Sequence, residues 1–358
     1  MDIPSGLDSD SGVPPGDAVQ ANHTVTFTAP KRCHVLSPAC EFAGKLHVAA
    51  IGSPPELYEQ DPAIYLSVSE PALFAHLFRP RVQDSNKGLY GHVLVIAGSR
   101  GKTGAAAMAG LAVLRAGAGL VTVASAESAI AAIASHAPEI MTEPLPETDT
   151  GSISTRSLDD GRLAGIMEKK NAVALGPGLG QHPDTVQFVR RVVEELQVPM
   201  VVDADALNAL GDRRLRGIRI LTPHPGEMAR LTHKTVPEVQ ADRIGLAREF
   251  AQARGVYLVL KGNRSVIAAP DGRVWINPTG SPAMATGGTG DVLTGMIAGL
   301  VAQFPYQIAP ALLAAVYLHG RAGELGAAKL GEKTLIATDL FEFLPEAMRE
   351  VANHSDTF

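Results

Sequence analysis

The run Thr286-Gly287-Gly288-Thr289-Gly290-Asp291, followed by the apolar stretch 292–303, carries the strongest chemical signal in the sequence. Several glycines just ahead of a helix let backbone N–H groups point into one concavity, and the helix dipole adds roughly 0.3–1 kcal/mol of attraction for an anion there. Gly287, Gly288, Thr289 and Gly290 are therefore the expected anion hole. Asp291 is the informative residue, because a carboxylate is a poor choice for simply gripping phosphate. It suits a base that takes a proton from a hydroxyl attacking the phosphoryl group held by those N–H groups. The same dipole is expected to keep it ionised. The plainer alternative is a helix cap.

Five further runs lie near predicted strand ends. Lys261-Gly262-Asn263-Arg264-Ser265 places a cation and a flexible backbone where nucleotide phosphates would meet them, although a basic hairpin turn uses the same residues. In Thr222-Pro223-His224-Pro225-Gly226-Glu227, His224 and Glu227 stand three apart at a helix start, so both can face one cleft. Glu227 is a candidate to hold magnesium through water, but a first-turn Glu is also routine helix chemistry. Asp203 ends a strand and Asp205 is placed to cap the helix after it, with a metal or substrate role as the alternative. Gly176-Pro177-Gly178-Leu179-Gly180 lets a bulky ligand approach the backbone. Gly98-Ser99-Arg100-Gly101-Lys102-Thr103 resembles a P-loop only superficially, because Ile96 stands where the first glycine of that motif belongs. His92, His182 and His319 are too scattered for a zinc site.

These residues need a frame to bring them together. Strand-like runs occur at 92–97, 120–124, 172–175, 200–203, 218–221 and 256–260, with helix-length segments such as 104–116 and 184–196 between most of them. Alternation at this spacing predicts an α/β fold, a mainly parallel sheet with helices on both faces. Ligands bind such sheets outside the carboxyl ends of the strands, where the unusual Gly, Asp and His residues fall. The runs 264–269 and 274–277, joined through Pro270-Asp271-Gly272, predict an antiparallel hairpin.

Residues 1–52 hold two short β-like runs, 23–28 and 45–51, and 53–85 read as a proline-rich connector with at most one short helix. The main domain is expected over 86–350, with a tail at 351–358. A length of 358 residues suits one large domain plus an appendage. A formal net charge of -6 with no basic run argues against a nucleic-acid binder. Two cysteines without CxxC spacing fit a reducing compartment, and the N-terminus lacks the pattern of a secretory signal, so a cytoplasmic location is expected. The apolar stretch 104–126 carries Arg115 at its centre and reads as a buried helix, a tight turn and a buried strand rather than a membrane span.

Taken in order, Asn86-Lys87-Gly88 through His92-Val93, Gly98-Ser99, Arg115-Ala116-Gly117-Ala118-Gly119, Gly176-Pro177-Gly178-Leu179-Gly180, Asp203-Ala204-Asp205-Ala206-Leu207-Asn208, His224-Pro225-Gly226-Glu227 and Asn277-Pro278-Thr279-Gly280 through Asp291 resemble the carbohydrate-kinase-like NAD(P)H-hydrate dehydratase family. The resemblance implies a ribokinase-like three-layer αβα sandwich. It also implies that the hydroxyl of a hydrated nicotinamide ring, in the S-epimer, is phosphorylated by ADP or ATP with Mg2+ and that phosphate is then eliminated. On this resemblance Asp291 is the base, Lys261, Gly262, Asn263, Arg264, Ser265 and Gly290 meet the nucleotide, and Ala105, Gly178, His224 and Asp291 meet the hydrate. Expected partners are NADHX, NADPHX and an adenine nucleotide, with no nucleic acid or membrane, and the chain is expected to form a homo-oligomer.

Asp2-Ile3-Pro4-Ser5-Gly6-Leu7-Asp8, Thr24-Val25-Thr26-Phe27 and Lys31 resemble the C-terminal part of the NAD(P)H-hydrate epimerase domain. Residues 1–52 are thus expected to be an inactive remnant, and a chain starting near Pro80 is expected to keep dehydratase activity. The alternatives are a ribokinase-like kinase that keeps its phosphoester product, using the same Asp291 and glycine loop, and a nucleotide-binding module without turnover.

Overall fold

The computed structural model describes residues 2–54, 56–59, 61, 63–211 and 215–354; Met1, Pro55, Gln60, Pro62, residues 212–214 and the tail from 355 onward lie outside the described residues. Among the described residues there are twelve strands: β1 His23–Phe27, β2 Lys45–Ala49, β3 Leu66–Val68, β4 His92–Ile96, β5 Leu120–Ala126, β6 Met141–Leu145, β7 Ala172–Leu175, β8 Met200–Val202, β9 Arg219–Leu221, β10 Tyr257–Leu260, β11 Val266–Ala268 and β12 Val274–Ile276. Ten of them form one sheet in the order β3-β12-β11-β10-β9-β8-β7-β4-β5-β6.

From β10 through β6 every pairing is parallel; β10–β11 and β11–β12 are antiparallel. The composition of the central strands explains this. β4 (HVLVI) and β7 (AVAL) are almost continuously apolar and buried, as strands covered by helices on both faces must be. The β11–β12 hairpin closes where Gly272 takes a φ of 91° and donates to the Ala269 carbonyl at 3.0 Å.

The 104–126 stretch resolves as expected, into the helix Thr103–Arg115, a Gly117 turn and β5. Among the described helices none is long and apolar enough to cross a membrane. The edge strand β6 has no counterpart among the sequence expectations. Its Glu143 and Pro144 are poor strand formers, and its residues are mostly exposed. Two C-terminal helices, Ile308–Leu330 and Leu340–Ala352, complete the layer beside the helix Thr289–Gln303. The last of them contains Val351 and Ala352, so the start of the expected tail is helical.

Residues 53–85 do more than connect. β3 pairs in parallel with β12, and Phe74 and Leu77 are buried in the main core, with the Phe74 ring 5.4 Å from that of Tyr317. A chain starting near Pro80 would therefore strip an edge strand and two core side chains, contrary to the expectation that it keeps its function. Upstream, β1 and β2 pair only with each other, in parallel, and Leu7, Cys33 and Ala39 form a separate small core beneath them.

Candidate active site

The strand order reverses its direction of growth at the β4–β7 pair, since β5 and β6 follow on one side and β8 to β10 on the other. In open parallel sheets this switch point is where a ligand crevice opens. The loops after β4 and β7 meet there. Gly98 N donates to the Pro177 carbonyl at 2.8 Å, and Ser99 Oγ donates to the Gly178 carbonyl at 2.7 Å. Gly178 has a φ of 66°, and a β-carbon on it would lie 3.1 Å from that of Ala105. Ala105 and Gly178, two residues expected at the hydrate, are thus neighbours at the crevice floor.

Asp291 stands in the first turn of the helix Thr289–Gln303, whose N-cap is Gly288 with a φ of 96°. The first backbone bond of that helix runs from Val292 N to the Gly288 carbonyl at 3.1 Å, so the preceding N–H groups have no intrahelical partner. That is the geometry an anion needs. His319, buried on the helix Ile308–Leu330, holds the same turn: its Nε2 lies 2.9 Å from the Thr289 carbonyl, which can only accept, so the ring donates. Burial lowers the His319 pKa to about 4, keeping it neutral.

The surroundings of Asp291 work against the helix dipole expected to keep it ionised, and bring its titration close to neutral pH. Burial first, then the charge of Asp203, pushes its pKa up to about 6, against the pull of Lys261. Asp203, at the end of β8, is buried. Its Oδ1 lies 2.8 Å from Lys261 Nζ, and its Oδ2 accepts a 2.7 Å bond from Thr294 Oγ1 on the helix that carries Asp291. Burial works against the Lys261 charge, but Asp203 and Glu227 outweigh it and raise the pKa above the ordinary lysine value.

His224 and Glu227 do face each other, as a helix cap. His224 Nδ1 accepts from Gly226 N at 3.0 Å and Glu227 N at 3.4 Å, while Glu227 Oε2 accepts from His224 N at 2.8 Å. With Nδ1 accepting, Nε2 carries the proton, and the ring is half exposed. Asp205 does not cap its helix by the usual side-chain bond. Its Oδ2 instead takes the Gly180 N–H at 2.8 Å and lies 3.4 Å from Lys102 Nζ, which ties the β7 and β8 loops together.

The loop 261–265 is propped from below by Arg243, whose guanidinium donates to the Asn263 carbonyl at 2.5 Å and the Leu260 carbonyl at 3.1 Å. Gly262 and Asn263 are exposed, and the Ser265 hydroxyl closes the turn onto the Gly262 carbonyl at 3.1 Å. Arg264 points elsewhere: it donates to the Pro278 carbonyl and lies 3.9 Å from Cys40 Sγ of the N-terminal segment. Sequence reasoning missed the Thr294–Asp203 bond, Arg243 and the role of His319, because each depends on residues distant in the chain.

Among the described residues no group of three or more His, Cys, Asp or Glu side chains could hold a metal ion. Asp203 and Glu227 are already engaged by Lys261, at 2.8 and 3.9 Å. These contacts favour the cap reading of Glu227 over the magnesium one. The residues fit an ion carried by nucleotide phosphates and water, and do not fit one caged by the protein.

The family model for NAD(P)H-hydrate dehydratase matches residues 93–346, which is most of the chain and holds every residue of this crevice. The chain belongs to the NAD(P)H-hydrate dehydratase family. A second model, the YjeF-related protein N-terminus, matches residues 1–33 of this dehydratase family member. It is 44% identical to the bifunctional NAD(P)H-hydrate repair enzyme Nnr of Moorella thermoacetica, over 100% of this chain and 68% of that protein. It is 39% identical to the enzyme of the same name from Escherichia coli, over 96% of this chain and 64% of that protein. The chain thus spans about two thirds of the length of these curated relatives. The crystal structure of the ADP/ATP-dependent NAD(P)H-hydrate dehydratase of Bacillus subtilis, co-crystallised with ATP and Mg2+, superposes with a TM-score of 0.69 at 36% identity, covering 80% of this chain and 98% of that one. A ribokinase-like superfamily protein from Enterococcus faecalis superposes equally well, with a TM-score of 0.69 at 27% identity. The dehydratase fold is thus the ribokinase-like α/β sandwich.

Proposed function

We propose that this chain is a lyase that dehydrates the S-epimer of hydrated NADH and NADPH at the expense of ADP or ATP, restoring the reduced cofactor. The observation that carries the reading is Asp291: a half-buried carboxyl with a pKa raised to about 6, in the first turn of a helix with free N–H groups, beside the Lys261 ammonium. A base poised near the working pH and an adjacent anion hole suit phosphoryl transfer to a hydroxyl.

Asp291 takes the proton of the ring hydroxyl as its oxygen attacks the terminal phosphorus, and the nucleotide leaves shorter by one phosphate. The carbon bearing the new ester adjoins the ring nitrogen. The nitrogen lone pair expels inorganic phosphate, and loss of a proton from the neighbouring ring carbon restores the double bond. No strong acid is needed, because phosphate is already a good leaving group. Gly178 and Ala105 line the floor on which the nicotinamide would lie, with the His224 ring at its rim. Gly290 and the exposed backbone of Gly262 and Asn263 would meet the nucleotide phosphates, and magnesium would arrive with them, neutralising their charge. Residues 1–52 contribute no second activity in this reading. The expected location is the cytoplasm.

The test is incubation with hydrated NADH plus ADP or ATP, following recovery of the dihydronicotinamide absorbance. Recovery that requires nucleotide and releases inorganic phosphate supports the lyase. A stable phosphoester product would instead identify a kinase.

A further inference from the structure

Lys261 occupies a position that a divalent ion commonly takes in phosphoryl-transfer sites: between two buried carboxylates and next to an anion hole. Its ammonium stands 2.8 Å from Asp203 Oδ1 and 3.9 Å from Glu227 Oε2, and the two carboxylate side chains are only 2% and 7% exposed. Two carboxylates taken out of water require a nearby cation, because removal of one partner leaves an uncompensated buried charge. The remaining oxygens are also spoken for. Asp203 Oδ2 accepts from Thr294, Glu227 Oε2 also accepts from His224 N, and Glu227 Oε1 lies 3.5 Å from His224 Nε2. A β-carbon on Gly290 would lie 3.5 Å from Lys261 Nζ, so the ammonium borders the first turn of the catalytic helix, where the glycine leaves room in front of it. The side chain is 20% exposed. A lysine has three donors; Asp203 accepts one, and Glu227 at 3.9 Å balances charge without accepting a hydrogen bond, so donor capacity remains.

We propose that Lys261 is a built-in cation, standing in for a protein-held divalent ion between Asp203 and Glu227 and offering a free donor to the phosphoryl group during transfer. The first half of this statement rests on geometry alone; the second rests on the lyase reading above. Lys261 then stabilises the transferring group as well as helping to capture the nucleotide. Magnesium has no site on the unliganded protein and is bound only as the nucleotide complex.

Manganese titration followed by electron paramagnetic resonance, on the full chain without nucleotide, tests the first half. The wild type is expected to bind no stoichiometric Mn2+. Lys261→Ala frees both carboxylates and is expected to gain one Mn2+ site, which Lys261→Ala combined with Asp203→Asn loses again. A stoichiometric Mn2+ site in the unliganded wild type overturns the proposal, and this arm needs no variant to fold. So does a folded Lys261→Ala protein that gains no site. For the second half, turnover of Lys261→Ala at saturating ADP or ATP is expected to fall by about 10²-fold or more, the size of effect seen when one transition-state donor is lost. An unchanged turnover number with a raised nucleotide Kd would overturn the transfer role. The manganese arms use no hydrate, so they stand or fall independently of the substrate assignment.

Discussion

Asp291 is a carboxyl whose folded-state pKa, about 6, lies above the ordinary aspartate value because burial and then Asp203 disfavour its charge. Two consequences follow from the sign of that shift. As a base it must be ionised, so the activity should rise with pH on a single-proton limb centred near 6 and level off by about pH 7. A pH–rate profile without that limb would remove Asp291 from the base role. For stability the direction is opposite to the usual aspartate. Below the unfolded pKa the shift costs nothing; as pH rises from about 4 through 6 the folded state increasingly pays for an unwelcome charge. Asp291→Asn should therefore lower turnover by about 10²–10⁴-fold while raising the thermal midpoint at pH 7. The gain should be on the order of 1–2 kcal/mol, after allowing for partial exposure of the group. Nucleotide binding, measured by calorimetry, should survive. A variant that loses stability and keeps its turnover would make Asp291 a helix residue and nothing more.

The helix that carries Asp291 lies unusually close to the helix Thr103–Arg115, and the closeness is made by glycine. A β-carbon on Gly295 would stand 2.1 Å from the Ala109 carbonyl and 2.7 Å from the Ala112 β-carbon; one on Gly299 would stand 2.8 Å from the Val113 carbonyl. Two effects compete in Gly295→Ala. Helix propensity favours alanine by about 0.8–1 kcal/mol. Against it, a contact of 2.1 Å with backbone cannot be relieved by a side-chain rotation, so the helices must part, and overpacking of this kind costs about 1–3 kcal/mol or more. The clash wins. Gly295→Ala is expected to lower the thermal midpoint and to reduce turnover as well, because the helix that shifts bears both Asp291 and Thr294. A stabilised and fully active variant would show that the helices have slack. The loop after β8 is under a different constraint. Gly176 (φ 133°) lets the Asp203 carbonyl approach to 1.8 Å of where a side chain would begin, and Ala204 holds a φ of 49° with ψ −123°, a strained conformation for alanine. Together they aim Asp203 toward the catalytic helix and Asp205 toward Gly180.

At the scale of the whole molecule the question is where the catalytic unit begins. β3, Phe74 and Leu77 belong to the main sheet and core, whereas β1, β2 and the Leu7–Cys33–Ala39 cluster form their own. A chain starting at Ala63 is therefore expected to keep dehydratase activity and the unfolding transition of the main unit. One starting at Pro80 should lose more than about 5 kcal/mol through Phe74 and Leu77 alone. Equal stability of the two would mean that the 63–79 segment is dispensable. On the small sheet Val25, Phe27 and Val48 are 41–49% exposed, and the Thr26 hydroxyl and Lys31 ammonium hold the Asp2 carboxyl down at about 2. A carboxylate so weakly basic suits a residue without proton-transfer work, and the full chain is expected not to accelerate interconversion of the two hydrate epimers. Catalysed exchange, observed by resolving the epimers over time, would make Asp2 a working residue.

Much of this protein was legible without coordinates, for a physical reason: local chain chemistry announces itself. Continuous apolar runs of four to seven residues specified the buried parallel strands, and Pro270-Asp271-Gly272 specified a hairpin. A glycine loop opening a helix at Asp291 pointed to a candidate anion site with an acid in it. What local pattern does not carry is which distant side chains share a cavity. Strand β6 escaped because an exposed edge tolerates Glu143 and Pro144, and β3 because three residues in a proline-rich stretch become a strand only when β12 is there to pair with. The chemistry depended on the same kind of information. Nothing near Asp291 in the chain indicates a raised pKa; that comes first from burial by the layers around it and then from Asp203, 88 positions earlier. Lys261 reads as a phosphate ligand from its own neighbours. Only the sheet, by ending β8, β9 and β10 side by side, places it between Asp203 and Glu227 and turns a surface-type lysine into a buried, charge-balanced cation.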